Sequence, residues 1–470
     1  MSADSYGDRH DATIFALSTA PVRAAVAIIR LSGKGCVGAL TALGVTALPT
    51  PRQAALRALY APLASPMGPA SASDVDASLL DEALVLRFEA PHSFTGEDMV
   101  ELHLHGGLAV TQSVLTALSG LDGVRAAEAG EFTRRAVVNG KMDLTAAEAI
   151  ADLIDAEGGA QQARALDQLR GKLKHQAEEW RAALKTMLAH LEADLEFADE
   201  DLPGGLGQAA LSGLPALRKS LATHIGDTRG LRLRDGVRIA LLGAPNAGKS
   251  SILNMLAGRD AAIVSARAGT TRDAIEVAMV LDGVPVTLVD TAGLRAAGDD
   301  IEREGVRRAE QAADEADIVV LVSAPDAALA SDEMLAAMPD DVKGRLAEAD
   351  LRLANKSDLK PDAHSKPKTG AYDIALSAKT GEGAEALMAR LGDLVKEKAG
   401  LGDSVLVTRH RHAEILQEVV GHIDAAQSAA ALELAAEDLR LAQRALGRLT
   451  GAVDIEQLLD IVFADFCIGK

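Results

Sequence analysis

The stretch that most constrains the fold of this chain is Gly243-Ala-Pro-Asn-Ala-Gly-Lys-Ser-Ser251. An apolar run typical of a β-strand precedes it at Val237–Leu242, and an apolar-periodic segment typical of a helix follows at Ile252–Leu256. Two glycines in the spacing G-x-x-x-x-G-K-[ST] let backbone N–H groups turn toward an anion, at the positive end of the following helix. The pattern predicts a phosphate loop in which Lys249 reaches the outer phosphates and Ser250 ligates Mg²⁺.

Three further motifs follow in order, each at the end of an apolar run: Asp290-Thr-Ala-Gly293, Asn355-Lys-Ser-Asp358 and Ser377-Ala-Lys379. Ligands of open α/β sheets bind at the carboxyl ends of the strands, which is where these motifs fall. The carboxylate of Asp358 can accept hydrogen bonds from guanine N1–H and from the exocyclic amine of guanine. Adenine offers neither donor there, so the sequence favours GTP over ATP.

The residues that would assist hydrolysis are less ordinary. Leu294 stands where Ras-type GTPases carry a glutamine that orients the attacking water. Asn246 lies inside the phosphate loop, where its amide oxygen could hold a monovalent cation beside the phosphates. Thr271 is our choice for the switch threonine that ligates Mg²⁺. Four carboxylates follow Leu294 and could take over the role of that glutamine, although each is most simply explained as part of a solvated helix start. They are Asp299, Asp300, Glu302 and Glu304.

The pattern of apolar residues predicts a multidomain chain of α/β and all-α parts. Residues 1–140 contain four β-type runs and read as a mixed α/β unit, and residues 236–395 alternate strand and helix. In the latter, Asp282-Gly283 predicts a hairpin and thus one antiparallel edge pair. Apolar residues spaced by threes and fours from Leu166 to Leu195 predict one long helix. The simplest architecture is a helical domain of residues 141–235 and 396–470, with a P-loop GTPase domain inserted at 236–395. The four β-type runs are Thr13–Leu17, Val26–Leu31, Ala83–Phe88 and Val100–Leu104.

Composition and charge argue against several classes of function. The net charge of −20 disfavours non-specific nucleic-acid binding, which depends on neutralising phosphates. The two cysteines cannot form a disulfide framework, and no apolar run approaches the length of a membrane span. We therefore expect a cytoplasmic protein without membrane association.

Several charged residues in the N-terminal unit allow more than one interpretation. Arg30, Glu101 and Lys141 lie beside apolar runs, and the simplest interpretation is a solvated salt bridge. His103 and His105 alternate, so on a strand they would share a face. A metal site would need further ligands at suitable spacing, and the sequence offers none that we recognise.

Taken together, particular motifs identify a family. Ser93-Phe-Thr-Gly-Glu-Asp98, Gly130-Glu-Phe-Thr133, Lys141-Met-Asp-Leu144 and the terminal Cys467-Ile-Gly-Lys470 resemble the MnmE (also called TrmE) family of tRNA-modification GTPases. The resemblance covers essentially the whole chain. It implies that residues 1–140 form an α+β tetrahydrofolate-binding domain that also forms the homodimer.

The resemblance also implies an activity. Members of the family modify carbon 5 of the wobble uridine of certain tRNAs, adding an aminomethyl or carboxymethylaminomethyl group. They act with the FAD-containing protein MnmG in a heterotetramer and take a one-carbon unit from 5,10-methylene-tetrahydrofolate, with 5-formyl-tetrahydrofolate as a related ligand. Their GTP hydrolysis depends on K⁺. The alternative is an Era- or EngA-type ribosome-assembly switch, but such proteins carry a basic RNA-binding domain that is not visible here.

By motif match, the resemblance assigns roles residue by residue. The folate contacts are Arg30, Glu101, Lys141 and Lys470. The K⁺ ligands are Asn246, Ser265, Arg267 (through its carbonyl) and Thr270. Glu302 orients the catalytic water, and Cys467 has a role in tRNA modification or is a buried thiol. The predicted nucleotide contacts are Asn246, Ala247, Gly248, Lys249, Ser250, Ser251, Ser265, Ala266, Arg267, Ala268, Gly269, Thr270, Thr271, Asp290, Thr291, Ala292, Gly293, Asn355, Lys356, Asp358, Ser377, Ala378 and Lys379.

Overall fold

The computed structural model of the chain consists of two compact units. One contains Met1–Ala151 with Gly447–Lys470, and the other contains Asp152–Leu446. None of the described helices combines the length and the apolar character needed to cross a lipid bilayer. The structure describes residues 12–62, 79–196, 206–243, 246–258, 275–290, 311, 314–324, 349–359, 372–401, 405–453, 459, 462–463, 466 and 469.

Among these residues, the helices are, in chain order, α1 (Cys36–Ala42), α2 (Leu108–Ser119), α3 (Glu131–Val138), α4 (Leu144–Asp155), α5 (Gly159–Leu169), α6 (Lys172–Glu196), α7 (Leu206–Leu211), α8 (Leu214–Ile225), α9 (Arg229–Asp235), α10 (Lys249–Ala257), α11 (Ala384–Ala399), α12 (His410–Ser428) and α13 (Leu432–Thr450).

The first unit is built on a six-stranded sheet in the order β3-β4-β5-β2-β1-β6, antiparallel except for the β1–β6 pair. Alternation along β2 explains its two faces, since Ile29 and Leu31 are fully buried in the core that α1 and α2 cover. Arg30 points to the opposite face and lies directly across from Glu101. The strands are β1 (Thr13–Leu17), β2 (Val26–Ser32), β3 (Ala55–Tyr60), β4 (Leu79–Phe88), β5 (Met99–His105) and β6 (Val124–Ala126).

The second unit contains a sheet in the order β12-β11-β10-β7-β9-β8. All neighbouring strands are parallel except β8 and β9, so the prediction of one antiparallel edge pair is confirmed. Apolar residues of the sheet pack with α10 and α11 in one core. The strands are β7 (Val237–Leu242), β8 (Ile275–Leu281), β9 (Val284–Asp290), β10 (Ile318–Ser323), β11 (Leu351–Ala354) and β12 (Ile374–Ala375).

The turn between β8 and β9 is held on two sides. Asp282 and Gly283, which we call the hairpin tip, both have positive φ, as a two-residue hairpin turn requires. The Gly283 carbonyl accepts a hydrogen bond from the Ala160 N–H at the start of α5, at 3.0 Å. The Lys396 ammonium of α11 lies 2.9 Å from the Asp282 carboxylate. The predicted hairpin is confirmed, and its tip is packed against helices.

The prediction of one long helix is wrong. The chain leaves the helical path at Arg170 and Gly171, where Gly171 has a φ of +90°. Helices α5 and α6 result, and Leu169, which the predicted stripe included, is 36% exposed. The apolar face of α6 is buried as expected.

Helices that precede the second sheet in the chain contact helices that follow it. The Arg218 guanidinium of α8 binds the Asp424 carboxylate of α12 with a shortest distance of 2.5 Å. Arg440 of α13 donates to Glu192 of α6 at 2.9 Å. A buried hydrogen bond of 2.9 Å also joins the Thr408 hydroxyl to Gln168 of α5. The two helical segments of the second unit therefore pack together.

Candidate functional site

The phosphate loop leaves β7 and enters α10 with the geometry that its glycines permit. Gly248 has a φ of +93°, and a Cβ there would lie 2.2 Å from the Asn355 side-chain nitrogen. Asn246 also has positive φ, at +63°, a conformation that asparagine tolerates better than most residues. Asn246 is exposed, whereas Ala247 is buried. The loop therefore presents its open side at the carboxyl edge of the sheet.

Lys249 is the buried cation of this loop. Its ammonium donates a hydrogen bond of 2.7 Å to the Gly243 carbonyl, and only 5% of the residue is exposed. Burial lowers the pKa of Lys249 below its ordinary value, and the negative charge of Asp290 acts in the opposite direction. A phosphate bound here would meet a lysine that is already desolvated and directed along the loop.

Ser250 and Asp290 meet at the point where Mg²⁺ was predicted. The Ser250 hydroxyl donates to an Asp290 carboxylate oxygen at 2.5 Å. The pairing of β7 with β9 sets Asp290 directly beside Leu241, next to the start of the phosphate loop. A hydroxyl and a carboxylate are the oxygen ligands that Mg²⁺ prefers, so these two residues fit the ion.

Asn355 links three of the four nucleotide motifs. It follows β11, is 2% exposed, and donates from its side-chain nitrogen to the Ala247 carbonyl at 2.9 Å. Its side-chain oxygen accepts a hydrogen bond from the Ala378 N–H at 3.1 Å. One amide side chain therefore fixes the phosphate loop against the loop that follows β12.

Asp358 and Ser377 form the outer part of the predicted guanine site. The Ser377 hydroxyl donates to an Asp358 carboxylate oxygen at 2.6 Å. This hydrogen bond is the largest cause that holds the pKa of Asp358 below its usual range. The carboxylate is therefore ionised and exposed at neutral pH, as an acceptor for two guanine donors must be.

Several predicted site residues lie outside the described residues. They include the proposed water-orienting acid, the switch and K⁺-loop residues, the end of the Asp290 motif and two residues of the chain terminus. Their roles stay predictions: Ser265, Ala266, Arg267, Ala268, Gly269, Thr270, Thr271, Thr291, Ala292, Gly293, Glu302, Cys467 and Lys470.

A second group of predicted residues lies in the first unit. Arg30 donates from two nitrogens to one Glu101 oxygen, at 3.1 and 2.9 Å. The guanidinium carbon of Arg30 lies 5.6 Å from the centre of the Phe94 ring, within the range of a cation–π contact. His103 lies 3.4 Å from the other Glu101 oxygen, whereas His105 pairs with Asp81 instead. The two histidines therefore have different carboxylate partners.

Lys141 is connected to Arg30 and Glu101 indirectly, through a loop. Its ammonium donates to the Pro91 carbonyl at 2.8 Å, and Pro91 begins the segment that carries Phe94. Near the chain terminus, the Ser18 hydroxyl donates to the Gly469 carbonyl at 3.0 Å. The structure thus brings Arg30 and Glu101 together directly and connects Lys141 to them through residues 91–98.

Sequence reasoning missed two features of these sites. It named Asn355 as a nucleotide contact but not as the side chain that joins the loops, because its partner Ala247 is 108 residues away. The second feature is the ion pair of 3.1 Å between Glu97, within residues 91–98, and Arg135 of α3. The Gly-Glu-Asp end of the Ser93–Asp98 motif was the only signal for the latter.

Comparison with known proteins indicates the family of the chain. A family model described as the MnmE helical domain matches residues 144–467, and one described as the N-terminus of the GTP-binding protein TrmE matches residues 13–141. The tRNA modification GTPase MnmE of Paramagnetospirillum magneticum is 48% identical over 459 residues, covering 97% of this chain and 99% of that protein.

A second relative, the tRNA modification GTPase MnmE of Gluconacetobacter diazotrophicus, is 50% identical over 458 residues, covering 97% of this chain and 98% of its own length. Among solved structures, an Era variant from Aquifex aeolicus bound to GDP·AlF4⁻ aligns at 23% identity, covering 33% of this chain and 56% of that chain. Its TM-score of 0.26 is too low to support an argument.

Proposed function

Because this chain belongs to the MnmE family of tRNA modification GTPases, we propose that its GTP hydrolysis drives the modification of carbon 5 of the wobble uridine in certain tRNAs. The added group is aminomethyl or carboxymethylaminomethyl, and the one-carbon unit comes from 5,10-methylene-tetrahydrofolate. The partner is the FAD-containing protein MnmG, which joins a homodimer of this chain in a heterotetramer in the cytoplasm. The Era- or EngA-type alternative lacks support, since both family models describe MnmE or TrmE domains.

The observation that carries the GTPase part of this proposal is the set of bonds between the nucleotide motifs. The side-chain amide of Asn355 forms hydrogen bonds with the backbones of Ala247 and Ala378, and the Ser250 hydroxyl forms one with the Asp290 carboxylate. The residues predicted to contact phosphate, metal and base therefore lie along one edge of one sheet, which supports a single nucleotide site.

Each predicted site residue would have its own role in GTP hydrolysis. Lys249 supplies positive charge to the outer phosphates from a desolvated position, where charge acts most strongly. Ser250 and Thr271 would hold Mg²⁺, which supplies further positive charge to the phosphates when it is bound. K⁺ would be held by Asn246, Ser265, the Arg267 carbonyl and Thr270, and Glu302 would orient the attacking water.

The one-carbon donor would occupy the first unit. Arg30 and Glu101 form a half-buried pair with complementary donors and acceptors, and Lys141 offers a cation for a folate carboxylate. Lys470 would add a second cation, and Cys467 would act in the modification step. The GTPase domain at 236–395 would be inserted in the helical domain, so that its nucleotide state is transmitted to the folate-binding part.

Analysis of tRNA nucleosides tests the proposal. A strain that lacks this chain should lose the modified wobble uridine and recover it when the wild-type chain is restored. A Lys249→Ala chain, which cannot bind the outer phosphates, should not restore it. Normal wobble uridines in the deletion strain would contradict the proposal.

A further inference from the structure

Residues 91–98 form a platform under the Lys141 side chain. Gly96 has a φ of +80°, and a Cβ there would lie 3.1 Å from Lys141 Cγ and 3.2 Å from Lys141 Cδ. The aliphatic part of Lys141 therefore lies on the Gly96 backbone, while its ammonium bonds to the Pro91 carbonyl at 2.8 Å. Asn139, two residues earlier, donates to the Thr95 carbonyl at 2.8 Å. The segment that carries Lys141 is thus fixed to this platform at several points.

The platform is anchored to the rest of the unit by the side chain of one of its own residues, Glu97. The Glu97 carboxylate accepts hydrogen bonds from Arg135 at 3.1 Å and from the Ser32 hydroxyl at 2.7 Å. Arg135 is only 3% exposed, and its other terminal nitrogen donates to Glu131 at 3.0 Å. The Ser32 hydroxyl also bonds to the Thr95 hydroxyl at 2.7 Å. Charge-assisted hydrogen bonds of this kind are stronger than neutral ones and fix geometry.

Arg30 donates its hydrogen bonds to a different carboxylate, and its one contact with the platform is the ring of Phe94 among the contacts described. Arg30 receives its orientation from Glu101, directly across the sheet, through two hydrogen bonds. Of the two described cations of the folate site, Arg30 is therefore held directly by Glu101, whereas Lys141 is held indirectly, through the segment that Glu97 anchors. Loss of Glu97 should displace Lys141 and leave the hydrogen bonds between Arg30 and Glu101 in place.

We propose that Glu97, paired with Arg135, is a positioning residue that sets the affinity for the one-carbon donor through Lys141. The inference rests on the proposed folate site, since it concerns how that site is held. Glu97 does not need to touch the ligand. Its effect comes from fixing the Pro91 carbonyl and the Gly96 backbone, against which Lys141 lies.

A double-mutant cycle tests this inference by calorimetric titration of the full-length chain with 5-formyl-tetrahydrofolate. Glu97→Ala should weaken binding about tenfold, the effect of losing roughly one charge-assisted hydrogen bond. In a Lys141→Ala background the same change should have less than about a twofold effect, because the displaced group is already absent. In an Arg30→Ala background the full effect should remain.

Glu89→Ala is the matched control. It removes the same charge directly after β4, but the Glu89 side chain is 56% exposed and, among the contacts described, forms an ion pair only with Arg87. Its affinity for 5-formyl-tetrahydrofolate should equal that of the wild type. Melting temperature and GTP turnover, measured on every variant, identify a loss of folding. Should Glu97→Ala not fold, Glu97→Gln replaces it in the same cycle, with a weakening of about threefold expected.

The outcomes separate the two proposals. A wild-type chain that does not bind 5-formyl-tetrahydrofolate contradicts the folate site itself. If the wild type binds and the Glu97 variants bind equally well, the positioning role is wrong. An equal loss with and without the Lys141 ammonium also overturns it, because Glu97 would then act by another route.

Discussion

Replacing Asn355 by alanine tests whether one buried amide holds the nucleotide site together. The change removes two hydrogen bonds, to the Ala247 carbonyl at 2.9 Å and from the Ala378 N–H at 3.1 Å. Asn355 is 2% exposed, so water does not readily replace the lost partners. Each backbone group left without a partner costs about 1–3 kcal/mol, which gives about 2–6 kcal/mol in total.

Part of this cost lowers the free energy of unfolding of the nucleotide-free protein. The rest lowers the affinity for the nucleotide, because binding must then order the two loops. We expect GDP to bind at least about tenfold more weakly, equivalent to about 1.4 kcal/mol. Asn355→Asp should bind GDP more weakly still, because a carboxylate oxygen would face the Ala247 carbonyl in place of a donor. Titration with a fluorescent GDP analogue and thermal unfolding measure the two effects.

Asn254→Ala is the control for this experiment. Asn254 lies on the exposed side of α10, and alanine suits an exposed helix position, so neither affinity nor melting temperature should fall. An Asn355→Ala variant with the melting temperature and GDP affinity of the wild type would refute the reasoning.

Three further predictions concern the same site. Replacing Na⁺ by K⁺ should raise GTP turnover, and equal rates in both salts would argue against a cation site at Asn246. Glu302→Ala should abolish hydrolysis while GDP affinity is kept; unchanged turnover would shift the role to Asp299 or Asp300. The hydrogen bond from Ser377 lowers the pKa of Asp358, so the ionised carboxylate persists to lower pH than usual. As the pH is lowered, the GDP affinity of Ser377→Ala should therefore begin to fall at a higher pH than that of the wild type. Identical pH profiles for the two proteins would exclude an effect of Ser377 on Asp358.

The sequence predicted four of the six strands of the first sheet, because alternation and apolar runs are local signals, but it did not predict β3 or β6. The predicted Thr13–Leu17 is β1 to the residue, and Val26–Leu31 is one residue shorter than β2. The hairpin at Asp282-Gly283 followed from turn chemistry, because both positions need positive φ. These features depend on neighbours in the chain.

The break between α5 and α6 was not predictable from the apolar stripe. Leu169 and Leu173 are four residues apart, the spacing of one continuous helix face, so the periodicity passes through the break without a change. Gly171 was the only local signal. Its left-handed conformation becomes visible only in the structure.

Polar contacts between distant segments were the least predictable part of the candidate sites. The motif spacing placed Asn355 at a strand end but does not say which atoms its amide meets. Glu97 and Arg135 are 38 residues apart, and no periodicity relates them. Such pairs depend on how strands and loops are brought together by the whole fold.

The hairpin tip has a practical consequence for engineering this protein. Two-residue turns at the surface are ordinarily safe places to insert an epitope or a fluorescent label. Here a Cβ at Gly158 would already lie 2.0 Å from the Gly283 carbonyl oxygen, and one at Gly392 would lie 2.3 Å from an Asp282 oxygen. On the backbone side, between Gly158 and Gly283, there is no space even for a methyl group, so a tag at this turn would separate the hairpin from the start of α5. Labels belong elsewhere on the chain.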